Sequence, residues 1–192
     1  MADIHRFDHW SGTYEESWLQ KRFFDPVHQA VLTLAANGPE PETILDIGCG
    51  TGRLLRKAIS RWPYARLIGV DPAQGMVDVA QHLLPDAAFR IGTAEEIPLP
   101  DASVDLAMST VSFHHWHDQA AGVREVARVL RPGGRFLLAD ASAPLWLSRL
   151  IRHARFPSAG EVRNMFTEAG LHVQTQQPAT SRFVLITIGT RT

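Results

Sequence analysis

A short apolar run, Thr43-Ile-Leu-Asp-Ile-Gly48, ends in glycines at positions 48, 50 and 52, and a helical pattern begins at once. Glycines at such a turn let the backbone enter left-handed conformations and leave no Cβ between main chain and ligand. The helix that follows would aim unpaired N–H groups and the positive end of its dipole at the same place. A dinucleotide loop is spaced Gly-x-Gly-x-x-Gly and seats a pyrophosphate on the helix end. Here the third glycine comes one residue early and Asp46 precedes the loop. A carboxylate repels a pyrophosphate and favours a cation such as an ammonium or sulfonium group. Cys49 reads as a small residue tolerated in a tight turn, not as a nucleophile, because no cation adjoins it in sequence to lower its pKa.

The other concentration of reactive side chains is Thr110-Val-Ser-Phe-His-His-Trp-His117. Three histidines in one turn invite a metal reading, but they lack tetrahedral spacing and no cysteine or carboxylate pair accompanies them. No metal is expected. Histidine is also the side chain most easily tuned near neutral pH, which suits a base or a substrate contact. Placed just past a strand, His115 is the candidate to face a reacting group, while His114 reads as a structural residue of the loop. Near the start of the chain, Trp10 and Tyr14 stand at helical spacing. Either they pack on the core or they close as a lid over a bound cation, which an aromatic face attracts.

The elements that must hold these residues follow from periodicity. Apolar runs at 43–48, 65–70, 88–91, 104–109 and 135–139 read as strands, and helical patterns fall at 52–59, 73–84 and 118–130. Asp118 is a candidate N-cap, and Arg131-Pro-Gly-Gly134 is read as the turn into the fifth strand. Strands alternating with helices imply right-handed crossovers and a doubly wound parallel sheet. Ser158-Ala-Gly-Glu161 matches a capping box opening a helix that Gly170 closes. Runs at 171–175 and 183–188 then lie too close for a crossover and must pair antiparallel. The expected fold is α/β, Rossmann-like, with a mostly parallel seven-stranded sheet, one antiparallel strand near its edge, and helices on both faces. Residues 1–40 are read as an N-terminal helical lid, 41–140 as a ligand-binding core, 141–157 as a substrate-side helix carrying Trp146, and 158–192 as a helix and β-hairpin, all in one domain.

Asp46-Ile-Gly-Cys-Gly-Thr-Gly52, Gly69-Val-Asp-Pro-Ala-Gln-Gly-Met76 and Arg124-Glu-Val-Ala-Arg-Val-Leu-Arg-Pro-Gly-Gly134 together resemble the motifs of class I S-adenosylmethionine-dependent methyltransferases. Phe7-Asp-His-Trp-Ser-Gly-Thr-Tyr14 is similar to the opening of the quinone-biosynthesis C-methyltransferases within that family. The resemblance implies methyl transfer from S-adenosylmethionine to a small-molecule acceptor by in-line displacement, with a non-catalytic cofactor-binding module as the alternative. It also implies a cofactor site made of Asp46, Gly48, Cys49, Gly50, Gly52, Asp71, Pro72, Met76, Thr93, Ala94, Glu95 and Thr110, in which Asp71 accepts from the ribose hydroxyls. His115 and Tyr14 are the residues it places nearest the chemistry. One position departs from the subgroup: in Gly92-Thr-Ala-Glu-Glu-Ile-Pro98, Thr93 stands where an aspartate often addresses the adenine amino group. One lost hydrogen bond there is worth about 1 kcal/mol of cofactor affinity.

Bulk properties narrow the partners. The 192 residues are 45% hydrophobic and 20% charged, with 19 Lys plus Arg against 20 Asp plus Glu, for a net charge of -1. That balance offers no general attraction to nucleic acid or to an anionic membrane. The single cysteine excludes an intrachain disulfide, no apolar run approaches the roughly 20 residues of a membrane span, and the first residues lack a secretory signal pattern. A cytoplasmic enzyme is the expectation, and no feature of the sequence assigns an oligomeric state. A nicotinamide oxidoreductase is disfavoured by the loop spacing, and a nucleic-acid methyltransferase by the charge.

Overall fold

The computed structural model describes residues 22, 24–141, 156–179 and 183–192. Trp10, Tyr14 and the expected helix carrying Trp146 lie outside the described residues.

Helix α1 (Asp25–Ala35) starts with proline in its first turn and an acidic Asp25 at the positive end of its dipole. It buries Val27, Val31, Leu32 and Ala35. Strand β1 (Thr43–Ile47), helix α2 (Arg53–Ala58), strand β2 (Arg66–Asp71), helix α3 (Gln74–Leu83) and strand β3 (Ala88–Ile91) then alternate. Strand β4 (Val104–Thr110) leads through a 3-10 turn (Phe113–His115) into helix α4 (Gln119–Val129) and strand β5 (Leu130–Ala141). Helix α5 (Ala159–Glu168), strand β6 (Leu171–Pro178) and strand β7 (Val184–Arg191) complete the order.

The seven strands form one sheet in the order β3-β2-β1-β4-β5-β7-β6. The five strands from β3 to β5 are parallel, and β7 runs against both of its neighbours. Seven strands, one of them reversed near the edge, are what the sequence pattern predicts. Successive strands turn outward from the centre in opposite directions at β1 and β4, and ligands of doubly wound sheets bind at such a switch point, beyond the carboxyl ends of the strands.

Alternation along each strand divides the core between the two faces. Leu45, Ile47, Phe136 and Leu138 face one apolar cluster with Val123, Val126 and Phe166, supplied by α4 and α5. Ile44, Leu106, Leu137 and Ala139 face the other, with Val31 and Leu32 from α1 and Leu54 and Leu55 from α2. Phe136 and Phe166 stack at 5.1 Å with their planes 8° apart, locking α5 to the middle of the sheet. Both helix starts read from sequence are capped: Asp118 accepts from the Ala121 N–H at 2.9 Å, and Ser158 with Glu161 forms a reciprocal capping box.

Two boundaries differ from the pattern reading. The segment Arg131-Pro-Gly-Gly134 is not a turn ahead of the strand but an excursion within it: Val104 pairs with Leu130 and Leu106 with Arg135, so the residues between bulge out. Gly133 takes φ +80° there, which glycine adopts freely. Strand β6 also runs on past Thr175 through Gln176, Gln177 and Pro178. An edge strand buries only one flank, so polar residues extend it after its hydrophobic signal stops.

Candidate functional site

Gly48, Gly50 and Gly52 lie in the left-handed region, with φ +70°, +50° and +74°. Gly48 is tight as well: a Cβ there would collide with the side chain of Ser112. Gly50 is the opposite case, since an added Cβ would meet nothing within 4 Å and would stand in open space above the loop. A short helix start and a bare main chain therefore face an open volume at the end of β1.

Asp46 pairs in register with Gly69 on β2 and Met108 on β4, in the middle of the sheet. It is 2% exposed and its Oδ1 has no hydrogen-bond partner. Burial first, and the negative charge of Asp71 second, raise its pKa from the carboxylate range to about 8. A buried carboxyl group left incompletely partnered is costly, and an arriving cation would supply the missing interaction.

Asp71, at the carboxyl end of β2, fastens the loop to its neighbour. Its Oδ2 accepts the Gly50 N–H and its Oδ1 the Ala73 N–H, each at 2.9 Å. These two bonds fix both carboxylate oxygens at the carboxyl end of β2. Cys49 is buried, its thiol pushed up by burial and by the two nearby carboxyl groups, so it remains a thiol that packs over Gly69. Met76 is buried within α3 and Pro72 is half-buried. Beyond β3, the Gly92 N–H donates to the Asp71 carbonyl at 3.2 Å, which brings Thr93 to the rim of the same end of the sheet. Thr93 is exposed, Ala94 is buried, and Glu95 accepts the Asp118 N–H at 2.9 Å.

The turn after β4 meets the glycine loop directly. Ser112 donates through Oγ to the Ile47 carbonyl at 3.1 Å and shares a hydroxyl hydrogen bond of 2.8 Å with Ser109. Thr110, the last residue of β4, is buried beside Ala139. Two residues past Ser112, the His114 N–H donates to Asp140 Oδ2 at 3.1 Å and its ring Nδ1 lies 2.9 Å from Asp140 Oδ1. Asp140 is next to the last residue of β5 and is buried. His115 is exposed, with its ring centroid 4.0 Å from that of His114. Of the residues singled out from sequence, the structure thus joins Asp46, the three glycines, Asp71 and Thr110 at one end of the sheet, with Thr93 at its rim. Tyr14 lies outside the described residues.

Sequence reading passed over Asp140 and Ser112. Asp140 carried a usable signal, because it closes an apolar strand at its carboxyl end as Asp46 and Asp71 do. Ser112 carried none, since its role depends on the approach of two loops 65 residues apart.

Residues 45–138 match the family model described as a methyltransferase domain. An uncharacterised methyltransferase of Mycobacterium tuberculosis is 47% identical over 92 residues, 48% of this chain and 37% of the relative. The uncharacterised methyltransferase YcgJ of Bacillus subtilis is 43% identical over 107 residues, 53% of this chain and 41% of the relative. This chain therefore spans about two fifths of the length of those relatives. The YcgJ crystal structure superposes with a TM-score of 0.71 at 27% identity over 85% of this chain and 98% of that one. A chain from the complex of the Haloferax volcanii Trm112 methyltransferase activator with a methyltransferase gives 0.79 at 26% identity, covering 96% of each. Nothing in these relatives supports the alternative of a binding module without turnover. Within the matched segment, the unpartnered Asp46 oxygen, the open space over Gly50 and the two anchored oxygens of Asp71 fit a ligand that combines a cation with vicinal hydroxyls, as S-adenosylmethionine does.

Proposed function

We propose that this protein transfers a methyl group from S-adenosylmethionine to a small-molecule acceptor. The observation that carries the reading is Asp46: a buried, incompletely partnered carboxyl group at the end of β1, beside a glycine loop with room over Gly50. A phosphate-bearing cofactor would meet two acidic side chains there, whereas a cationic one would relieve both.

When bound, S-adenosylmethionine supplies an electrophilic methyl group with a neutral thioether as leaving group. The chain's own residues would hold it. The loop from Gly48 to Gly52 presents main chain without Cβ obstruction, Asp46 receives positive charge, and Asp71, fixed by the Gly50 and Ala73 N–H groups, accepts from the ligand hydroxyls. Thr93 and the Ala94 N–H border the position of the base, in keeping with the family resemblance. Alignment and exclusion of water then account for most of the acceleration. Resemblance to the quinone-biosynthesis C-methyltransferases supports a small cyclic acceptor.

The test is calorimetric titration with S-adenosylmethionine and with NADH. Saturable binding of the first alone is expected, with the binding lost in Asp46→Ala. Binding of NADH instead, or affinity unaltered by Asp46→Ala, would overturn the assignment.

A further inference from the structure

We infer that His114, oriented by Asp140, is the base that removes a proton from a phenolic hydroxyl of the acceptor before methyl transfer. The inference rests on the cofactor reading above and assigns the part of the same site facing the acceptor.

The geometry separates the two adjacent histidines. His114 holds Asp140 twice, by its main-chain N–H at 3.1 Å and by ring Nδ1 at 2.9 Å. Asp140 is held in turn by the Ala141 N–H at 2.6 Å and is only 6% exposed, so its carboxylate is fixed. A carboxylate accepting from Nδ1 selects the tautomer whose Nε2 carries a free lone pair, and it stabilises the imidazolium formed when that nitrogen takes a proton. The side chain of His114 is 19% exposed, enough for a reacting group to reach it.

Position adds the second argument. Val111 precedes this turn at φ +52°, a conformation that a β-branched residue adopts only under constraint. Its N–H donates to the Ala139 carbonyl at 2.7 Å, which pins the turn to β5 just before Asp140. The same turn puts Ser112 against Gly48 of the cofactor loop. A strained residue thus sets one loop against both the cofactor site and Asp140, the arrangement expected where constraint serves function.

The surroundings point to the acceptor class. The Phe156 ring lies 4.9 Å from the His114 ring, with the two planes 37° apart. Among the described residues, the titratable groups against His114 are Asp140 from β5 and His115 from its own turn. An aromatic ring beside an imidazole base suits an acceptor that is itself an aromatic ring bearing a hydroxyl. Phenols ionise near pH 10, as tyrosine does, so their oxygen gains much from a base at neutral pH. In the step, the phenol O–H proton passes to Nε2 of His114 and the O–CH3 bond forms. The S–CH3 bond breaks with its electron pair left on sulfur, and the imidazolium releases the proton to solvent.

The experiment uses the full chain with S-adenosylmethionine and 1-naphthol as probe, benzoate as a control needing no deprotonation, and S-adenosylhomocysteine release as readout. Wild type is expected to turn over naphthol. His114→Ala should bind S-adenosylmethionine with unchanged affinity, which shows that it is folded, and lose about a hundred- to a thousandfold in kcat. Its residual rate should climb with pH as phenolate forms in solution, losing the histidine limb of the wild-type profile, and added imidazole should restore turnover. His114→Gln, which keeps a polar group for Asp140, should be equally slow. Wild-type kinetics in His114→Ala, an unshifted pH profile, or cofactor bound without turnover of naphthol would overturn the inference. Failure of wild type to bind S-adenosylmethionine would overturn the cofactor reading instead.

Discussion

Replacing Asp46 by asparagine should make the unliganded protein more stable at alkaline pH while destroying its affinity for S-adenosylmethionine. In the fold the carboxyl pKa is about 8, against 3.8 in a solvated chain. Below pH 3.8 both states hold the proton and the residue has no pH-linked effect. Between 3.8 and about 8 the folded state keeps a proton that the unfolded state has lost, so stability falls as pH rises, by at most about 1.4 kcal/mol per pH unit. Above about 8 the loss stops growing. The sum is several kcal/mol, a large part of the roughly 5–15 kcal/mol that holds a domain together. His28 acts in the opposite sense, its pKa lowered from 6.5 to about 4 chiefly by burial, so stability falls as pH drops from 6.5 towards 4. The two slopes offset each other in the acid range and leave the Asp46 decline visible from pH 6.5 to 8. The asparagine side chain itself buries an amide with too few partners, costing about 1–3 kcal/mol at any pH. Urea unfolding of both proteins should therefore show wild type the more stable near pH 4 and Asp46→Asn the more stable near pH 8. A cofactor cation would hold Asp46 ionised, so binding should release a proton and tighten between pH 6 and 8. Calorimetry in buffers of different ionisation enthalpy counts that proton. Stability curves that stay parallel from pH 5 to 8, or a proton count of zero, would refute the reasoning.

The glycines of the loop should separate in their effects. Gly50→Ala meets only conformational strain at φ +50°, of about 1–2 kcal/mol, but its methyl group enters the ligand space, so cofactor affinity should fall more than thermal stability. Gly48→Ala forces the Ser112 side chain aside and should lower the melting temperature more than Gly50→Ala does. Away from the site, Phe166→Ala removes a fully buried ring stacked on Phe136 and should cost about 3–5 kcal/mol in urea unfolding, with the m value unchanged.

The parts of this molecule legible in its sequence are those fixed by local rules. Periodicity gave the strands and helices, a short span such as Thr43 to Lys57 contains strand, loop and helix together, and Ser158 with Glu161 announces its own helix start. Asp46 and Asp71 were legible because a carboxylate closing an apolar strand has few structural uses. What escaped was set by contacts between distant segments. Which of His114 and His115 reaches β5, 26 residues on, could not be read locally, and the pairing of His114 with Asp140 emerges only from the fold. Arg131-Pro-Gly-Gly134 misled because Pro and Gly punctuate turns and bulges alike, and only the pairing of β4 with β5 distinguishes the two.

Val111 tests whether strain in this site is linked to its function. A valine at φ +52° carries about 1–3 kcal/mol of conformational strain, which glycine would relieve. Against that, glycine brings about 0.5–1 kcal/mol of backbone entropy cost and forfeits the side chain's contacts with the cluster containing Leu137 and Ile186. The terms nearly cancel, so Val111→Gly should leave stability within about 1 kcal/mol of wild type. Turnover should respond differently, because the side chain stiffens the one loop that sets Ser112 on Gly48 and His114 on Asp140. A displacement of about 1 Å in a reacting group can cost roughly a hundredfold in rate. Urea unfolding and S-adenosylhomocysteine release measured on the same preparation should therefore part company, with stability kept and kcat reduced at unchanged cofactor affinity. A variant that unfolds several kcal/mol more easily would show that Val111 is held for packing. One that turns over like wild type would show that its strain is incidental to the chemistry.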